Sequence, residues 1–135
     1  MLPSGLPEYV DNTESLVRFL TSSSLFSGNG VKAAAFTPNP KNDETSVFRH
    51  DAEPRDTLWG LSAAITDAGR SLHGAALLSA SNVRNVGLNV VAHEPPPRHA
   101  NIVGWSKFDA DPAMVKARNK ELALGLAQHA TLIQP

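Results

Sequence analysis

The chain has 135 residues and predicts an α+β fold in a single domain spanning residues 1–135. The expected architecture is a mostly antiparallel sheet of about four to five short strands with two to three helices packed on one face. Three observations carry that expectation. Short apolar runs suited to strands lie between separated helical patterns. Ten prolines and nine glycines cut the chain into short elements. The last segment combines a cap at Asp111, a proline at the first helical position and apolar residues at helical spacing.

In order, residues 1–10 read as an irregular lead-in with Pro3, Gly5 and Pro7. Asp11 and Glu14 have the spacing of a capping box. Leu16, Phe19 and Leu20 follow at helical steps, which predicts a helix ending near Thr21. Ser22 to Ser24 favour side-chain bonds to backbone over helix. Ser27-Gly28-Asn29-Gly30 is turn chemistry. With a strand expected after it rather than a helix, it reads as a turn and not a phosphate cradle. Val31 to Phe36 is a strand candidate, although alanines are poor strand formers. A polar loop at 37–43 separates it from a strand over Glu44 to His50.

Glu53-Pro54 predicts a helix start, with Leu58, Leu61, Ile65 and Ala68 forming its stripe and Gly69 its stop. Ala75 to Ser79 reads as a buried strand. Ser81 to Val86 reads as a helical turn with Ser81 as cap. Leu88 to His93 and Ala100 to Trp105 read as strands on either side of Pro95-Pro96-Pro97. That loop is stiff and cannot donate hydrogen bonds to a sheet edge. In the final helix Val115, Leu122, Leu126 and Ile133 fall on one face. Gly125 sits mid-helix, where it costs about 1 kcal/mol against alanine.

Composition excludes several function classes. The net charge is −1 with both signs interspersed, so a nucleic acid is not an expected partner. Lys116, Arg118 and Lys120 form the one basic cluster, and Asp111 and Glu121 dilute it. There is no cysteine, which removes thiol nucleophiles, disulfides and Cys-ligated zinc. The N-terminus lacks a basic segment followed by an apolar one, and no apolar run approaches the ~18 residues of a membrane span. A cytoplasmic protein without membrane contact is expected.

The densest set of reactive side chains is His93, Glu94, Arg98 and His99. The two histidines flank the prolines, so no helix can present them together as in the His-Glu-x-x-His motif of zinc proteases. No metal site and no cofactor are expected. The chemistry these residues can offer is acid–base: His99 as general base, with Glu94 orienting a histidine. Arg49, with Arg98, is a candidate clamp for a phosphate or carboxylate. The plainer alternatives are a histidine bonded to backbone in a tight turn and an Arg49 paired to a nearby acid. Trp59 and Trp105 are candidate binding residues, since tryptophan is enriched at binding hot spots, and equally suit a small core. No P-loop, dinucleotide fingerprint or nucleophile elbow is present.

Ser46-Val-Phe-Arg, Ala80-Ser-Asn-Val-Arg-Asn-Val-Gly-Leu88 and Pro97-Arg-His-Ala-Asn-Ile-Val-Gly-Trp resemble segments of a group of small uncharacterised bacterial proteins. The likeness covers residues 31–106. It implies a bacterial origin and a shared fold, and no mechanism. His99 is the histidine that matches; His93 and Glu94 do not come from the resemblance.

Two functional readings follow. The first is an accessory, protein-interaction module, such as one from a toxin–antitoxin or defence operon, with a protein partner at the sheet edge, Trp105 and the proline loop. The second is a small hydrolase or transferase with a small-molecule ligand, a phosphorylated or nucleotide-like substrate. There His99 is the base and Arg49 and Arg98 hold the anion.

Overall fold

In the computed structural model, residues 2–50, 55–107 and 111–135 are described. The expected helix start at Glu53-Pro54 lies outside them. Strand β1 (Ser15–Leu20) is an interior strand of a six-stranded sheet. A small hairpin of β2 (Phe26–Ser27) and β3 (Gly30–Val31) follows. Then come β4 (Thr45–His50), helices α1 (Arg55–Leu61) and α2 (Ala63–Thr66), β5 (Gly74–Ser79) and helix α3 (Ala80–Asn85). Strands β6 (Asn89–Ala92) and β7 (His99–Val103), helix α4 (Pro112–His129) and strand β8 (Thr131–Ile133) complete the order. The large sheet runs β6-β7-β4-β1-β5-β8, and every adjacent pair is antiparallel. The α+β class and the antiparallel sheet are as the sequence predicts.

Strand alternation divides the residues between two faces. Leu16, Leu20, Val47, Ala76, Leu78, Val90, Ala100 and Ile102 join one core with residues of α3 and α4, including Val83, Leu122 and Leu126. Val17, Phe19, Phe48 and Ala75 join the opposite one with Leu58, and Trp59, Leu61 and Ile65 pack against it. The helices therefore lie on both sides of the sheet. Among the described residues the side holding α1 and α2 is only partly covered, and a pocket opens there beside Phe48 and Ile65.

The helix expected from Asp11 to Thr21 is the strand β1. Half of the capping box forms: Asp11 N–H donates to the Glu14 carboxylate at 2.7 Å, while the Asp11 carboxylate accepts from Thr13 N–H at 3.0 Å and Glu14 N–H bonds the Asp11 main-chain oxygen. It closes a turn that delivers the chain into a strand. Leu16, Val17, Phe19 and Leu20 are all buried. A strand covered on both faces carries a near-continuous apolar run, and over so few residues that run also fits helical spacing. The strand expected over Val31 to Phe36 covers only Val31 at the end of β3, and Ala33–Ala35 turns into a 3-10 helix. Three alanines supply none of the side-chain packing that favours a strand.

The cap of α3 is Ser79, not Ser81. Ser79 Oγ accepts from Asn82 N–H at 3.0 Å, and Asn82 returns the bond to Ser79 N–H. Ile133 does not continue the stripe of α4. The helix ends at His129, and Ile133 belongs to β8, opposite Ala75. Gly125 lies against α3: a Cβ there would stand 3.1 Å from Val86 Cγ1. Among the described residues no helix is long and apolar enough to cross a membrane.

Candidate functional site

Ser46 and His99 meet because of strand register. In the β4–β7 pair, Phe48 stands opposite His99 and Ser46 opposite Asn101. Ser46 and His99 are thus diagonal neighbours on the less covered face, within reach of each other's side chains. His99 Nε2 and Ser46 Oγ are 3.0 Å apart. On its other side, His99 Nδ1 lies 2.7 Å from the main-chain oxygen of His93. A carbonyl can only accept, so Nδ1 carries the proton of the neutral ring. Nε2 then offers its lone pair to the Ser46 hydroxyl, which donates. The Phe48 ring meets the imidazole edge-on at 5.4 Å. His93 sets its own ring against His99, with the two Nδ1 atoms 3.2 Å apart.

His99 is buried. Burial lowers its pKa from the ordinary histidine value. The bond to His93 O opposes that shift, and the neighbouring His93 adds to it. The ring is consequently a neutral base near pH 7, with its lone pair already directed at a hydroxyl.

This pair stands on the wall of a pocket of about 490 Å³. Arg18, Ser46 and Phe48 line it from the sheet, Ile65 from α2, Asn39 from the preceding loop and Pro96 from the proline loop. Two cations share it, Arg18 and Arg70. The β1–β4 register ends at the Val17–Phe48 pair, and past that end the Arg18 side chain reaches the pocket wall. Its Nε donates to Ala35 O at 2.9 Å and its Nη1 to Ser46 O at 2.8 Å. Its Nη2 has no hydrogen-bond partner among the described residues. Burial, reinforced by the positive charge of Arg70, pulls the Arg18 pKa down to about 10. Arg70 is held by Thr21 Oγ1 at 3.2 Å. Glu44 also lines the pocket and accepts from Asn101 Nδ2 at 2.7 Å.

The other residues singled out in the sequence have different positions. Arg49 is adjacent to Phe48 in β4, so its side chain goes to the opposite face, where it is fully buried. There its Nε and Nη2 bond the two Glu14 oxygens at 2.7 and 2.9 Å, and Nη1 bonds Pro7 O at 2.7 Å. Arg98, at φ 69°, donates from Nε to Arg49 O at 2.8 Å and so braces the strand end. Glu94 accepts from Ser4 N–H and Oγ–H and from Arg98 N–H. Burial works against its charge, but these bonds outweigh it and hold its pKa below the ordinary carboxylate value. It fastens the lead-in to the proline loop. Trp105 is buried in the α4-side core with its indole N–H on Ile102 O at 3.1 Å. Trp59 packs near Phe19 on the other side, with ring centroids 6.4 Å apart. Among the described residues no cluster of three or more His, Asp or Glu is placed to hold a metal ion.

Sequence reading picked out His99 and missed its company. Ser46 stands within Ser46-Val-Phe-Arg, where Arg49 is the more conspicuous residue type. Alternation along β4 separates the two, since positions an odd number apart face opposite ways. Arg18 had a signal of its own: it is a lone charge inside the apolar run Leu16 to Leu20. Comparison of the chain with protein-family models, with curated proteins and with solved structures finds no match, so the site is read from its own geometry.

Proposed function

We propose that this protein is a small hydrolase or transferase acting on a phosphorylated or nucleotide-like substrate, with His99 as general base. The observation that carries the reading is the convergence in one pocket of a neutral, hydroxyl-bonded imidazole and two guanidiniums. Two like charges sharing a pocket repel, and a bound anion relieves that cost while taking the open Nη2 of Arg18. In this reading Arg18 and Arg70 recognise the anion, His99 moves the proton, and Glu44 with Asn101 borders the site. Arg49, Glu94 and Arg98 support the fold around it. The absence of cysteine suits a cytoplasmic setting. The group of small bacterial proteins resembled in the sequence remains part of the proposal for origin.

Titration calorimetry with inorganic phosphate, AMP and ADP, together with hydrolysis of p-nitrophenyl phosphate, tests this. Saturable binding is expected, weakened about tenfold or more in Arg18→Met, since a charge-assisted hydrogen bond contributes roughly 1.5–3 kcal/mol. His99→Gln is expected to keep binding and lose turnover about 100-fold or more. Absence of saturable binding for all three anions removes the reading.

A second reading is favoured by one observation. Strand β6 is an edge of the sheet, and Val91 on it is 41% exposed beside the proline loop. Such an edge can accept a strand from a protein partner. An accessory interaction module would use it, and Val91→Lys would then release a partner retained by the wild type and by His99→Ala in a pull-down.

A further inference from the structure

We infer that Ser46 is a nucleophile, so that the reaction passes through a covalent serine ester; this rests on the catalytic reading above and deepens it. A serine hydroxyl is a weak nucleophile unless a base takes its proton as it attacks. His99 Nε2 stands 3.0 Å from Ser46 Oγ, and its tautomer is fixed by the His93 main-chain oxygen at 2.7 Å. Nucleophile, base and orienting group therefore stand in line, with a main-chain carbonyl where a triad uses a carboxylate. Ser46 itself is exposed at the pocket while the imidazole behind it is buried. Arg18 Nη1 bonds the main-chain oxygen of Ser46, which puts the guanidinium beside the residue where negative charge develops on attack.

Ser46 Oγ attacks the phosphorus of a phosphate ester, and its proton passes to His99 Nε2. The Oγ–P bond forms and the bond from phosphorus to the leaving oxygen breaks. The proton on Nε2 goes to that leaving oxygen. In the second half, water or an acceptor hydroxyl attacks the phosphoserine, His99 takes its proton, and the Oγ–P bond breaks with the proton returned to Ser46.

A fluorophosphonate probe reports the first half directly. Ser46 Oγ displaces fluoride and leaves a stable phosphonate ester, read by intact mass and by fragmentation of the labelled peptide. The expected result is one adduct per chain, on Ser46, absent in Ser46→Ala and slowed about 100-fold or more in His99→Gln. Circular dichroism establishes that both variants are folded. The labelling rate should rise with pH to a plateau as His99 becomes neutral. Labelling no greater than in Ser46→Ala, or spread over several serines, overturns the inference. Phosphate binding measured on the same samples separates the two levels. Binding without labelling removes the nucleophile and leaves the anion pocket, whereas loss of both removes the site altogether.

Discussion

His99 holds its neutral form through its surroundings, and that has a measurable consequence for stability. Its pKa in the folded state lies below the ordinary value, chiefly through burial. The folded chain thus binds this proton less readily than the unfolded chain does. The contribution to stability is complete above about pH 6.5, the unfolded value for histidine, and is lost as pH falls through the folded pKa. Thermal unfolding followed from pH 8 to pH 5 should show wild type losing stability on that side more steeply than His99→Gln. Equal slopes would mean that the ring titrates alike in both states. The side chains at this scale were unequally legible. His99 stood out as a reactive type in a dense cluster. Its hydroxyl partner came from a strand more than fifty positions away, and only register could pair them. Arg49 looked like a ligand-binding arginine because residue type says nothing about which face a strand presents.

At the scale of elements, α4 and α3 are matched through a missing side chain. A Cβ on Gly125 would meet Val86 Cγ1 at 3.1 Å, so the half-buried valine must yield slightly to admit alanine. Alanine gains about 1 kcal/mol in helix propensity. Gly125→Ala should therefore change stability by less than about 1 kcal/mol. Gly125→Leu overpacks the contact and should cost about 1–3 kcal/mol. Adding Val86→Ala to Gly125→Leu should restore part of that loss, and a double-mutant cycle in urea measures it. Helix α4 was the element most open to sequence reading, because Asp111 and Pro112 mark its start through local chemistry. Strand β1 was the least open. Its Asp11–Glu14 box is a genuine local signal, yet the burial of Val17 and Phe19 beneath α1 and α2, opposite Leu16 and Leu20, decided the conformation. That burial depends on residues far along the chain.

For the molecule as a whole, Arg49 ties the lead-in to the sheet. Its guanidinium joins Glu14, Pro7 O and Tyr9 O on the α4 side. Removing one partner of a buried pair leaves the other charge uncompensated, so Glu14→Gln should cost about 3 kcal/mol in denaturant unfolding. For Glu14, burial opposes the carboxylate, but the bonds from Arg49 and from Asp11 N–H outweigh it and lower the pKa. A depressed carboxyl pKa stabilises the fold above about pH 4.3, and the effect disappears as pH falls through the folded value. Acid unfolding of Glu14→Gln should lack that component.

The strand order also governs how quickly the molecule can assemble. Among the described residues of the six-stranded sheet, only neighbours β6 and β7 are joined by a short local loop; β1 must find β4 and β5, and β5 must wait for β8. Each of those pairings closes a long loop before it returns any contact energy. Folding dominated by such closures falls in the range of roughly milliseconds to seconds, slow for a chain of this size. Throughout that interval both apolar faces of β1 are open to other chains, so refolding yield should fall as protein concentration rises.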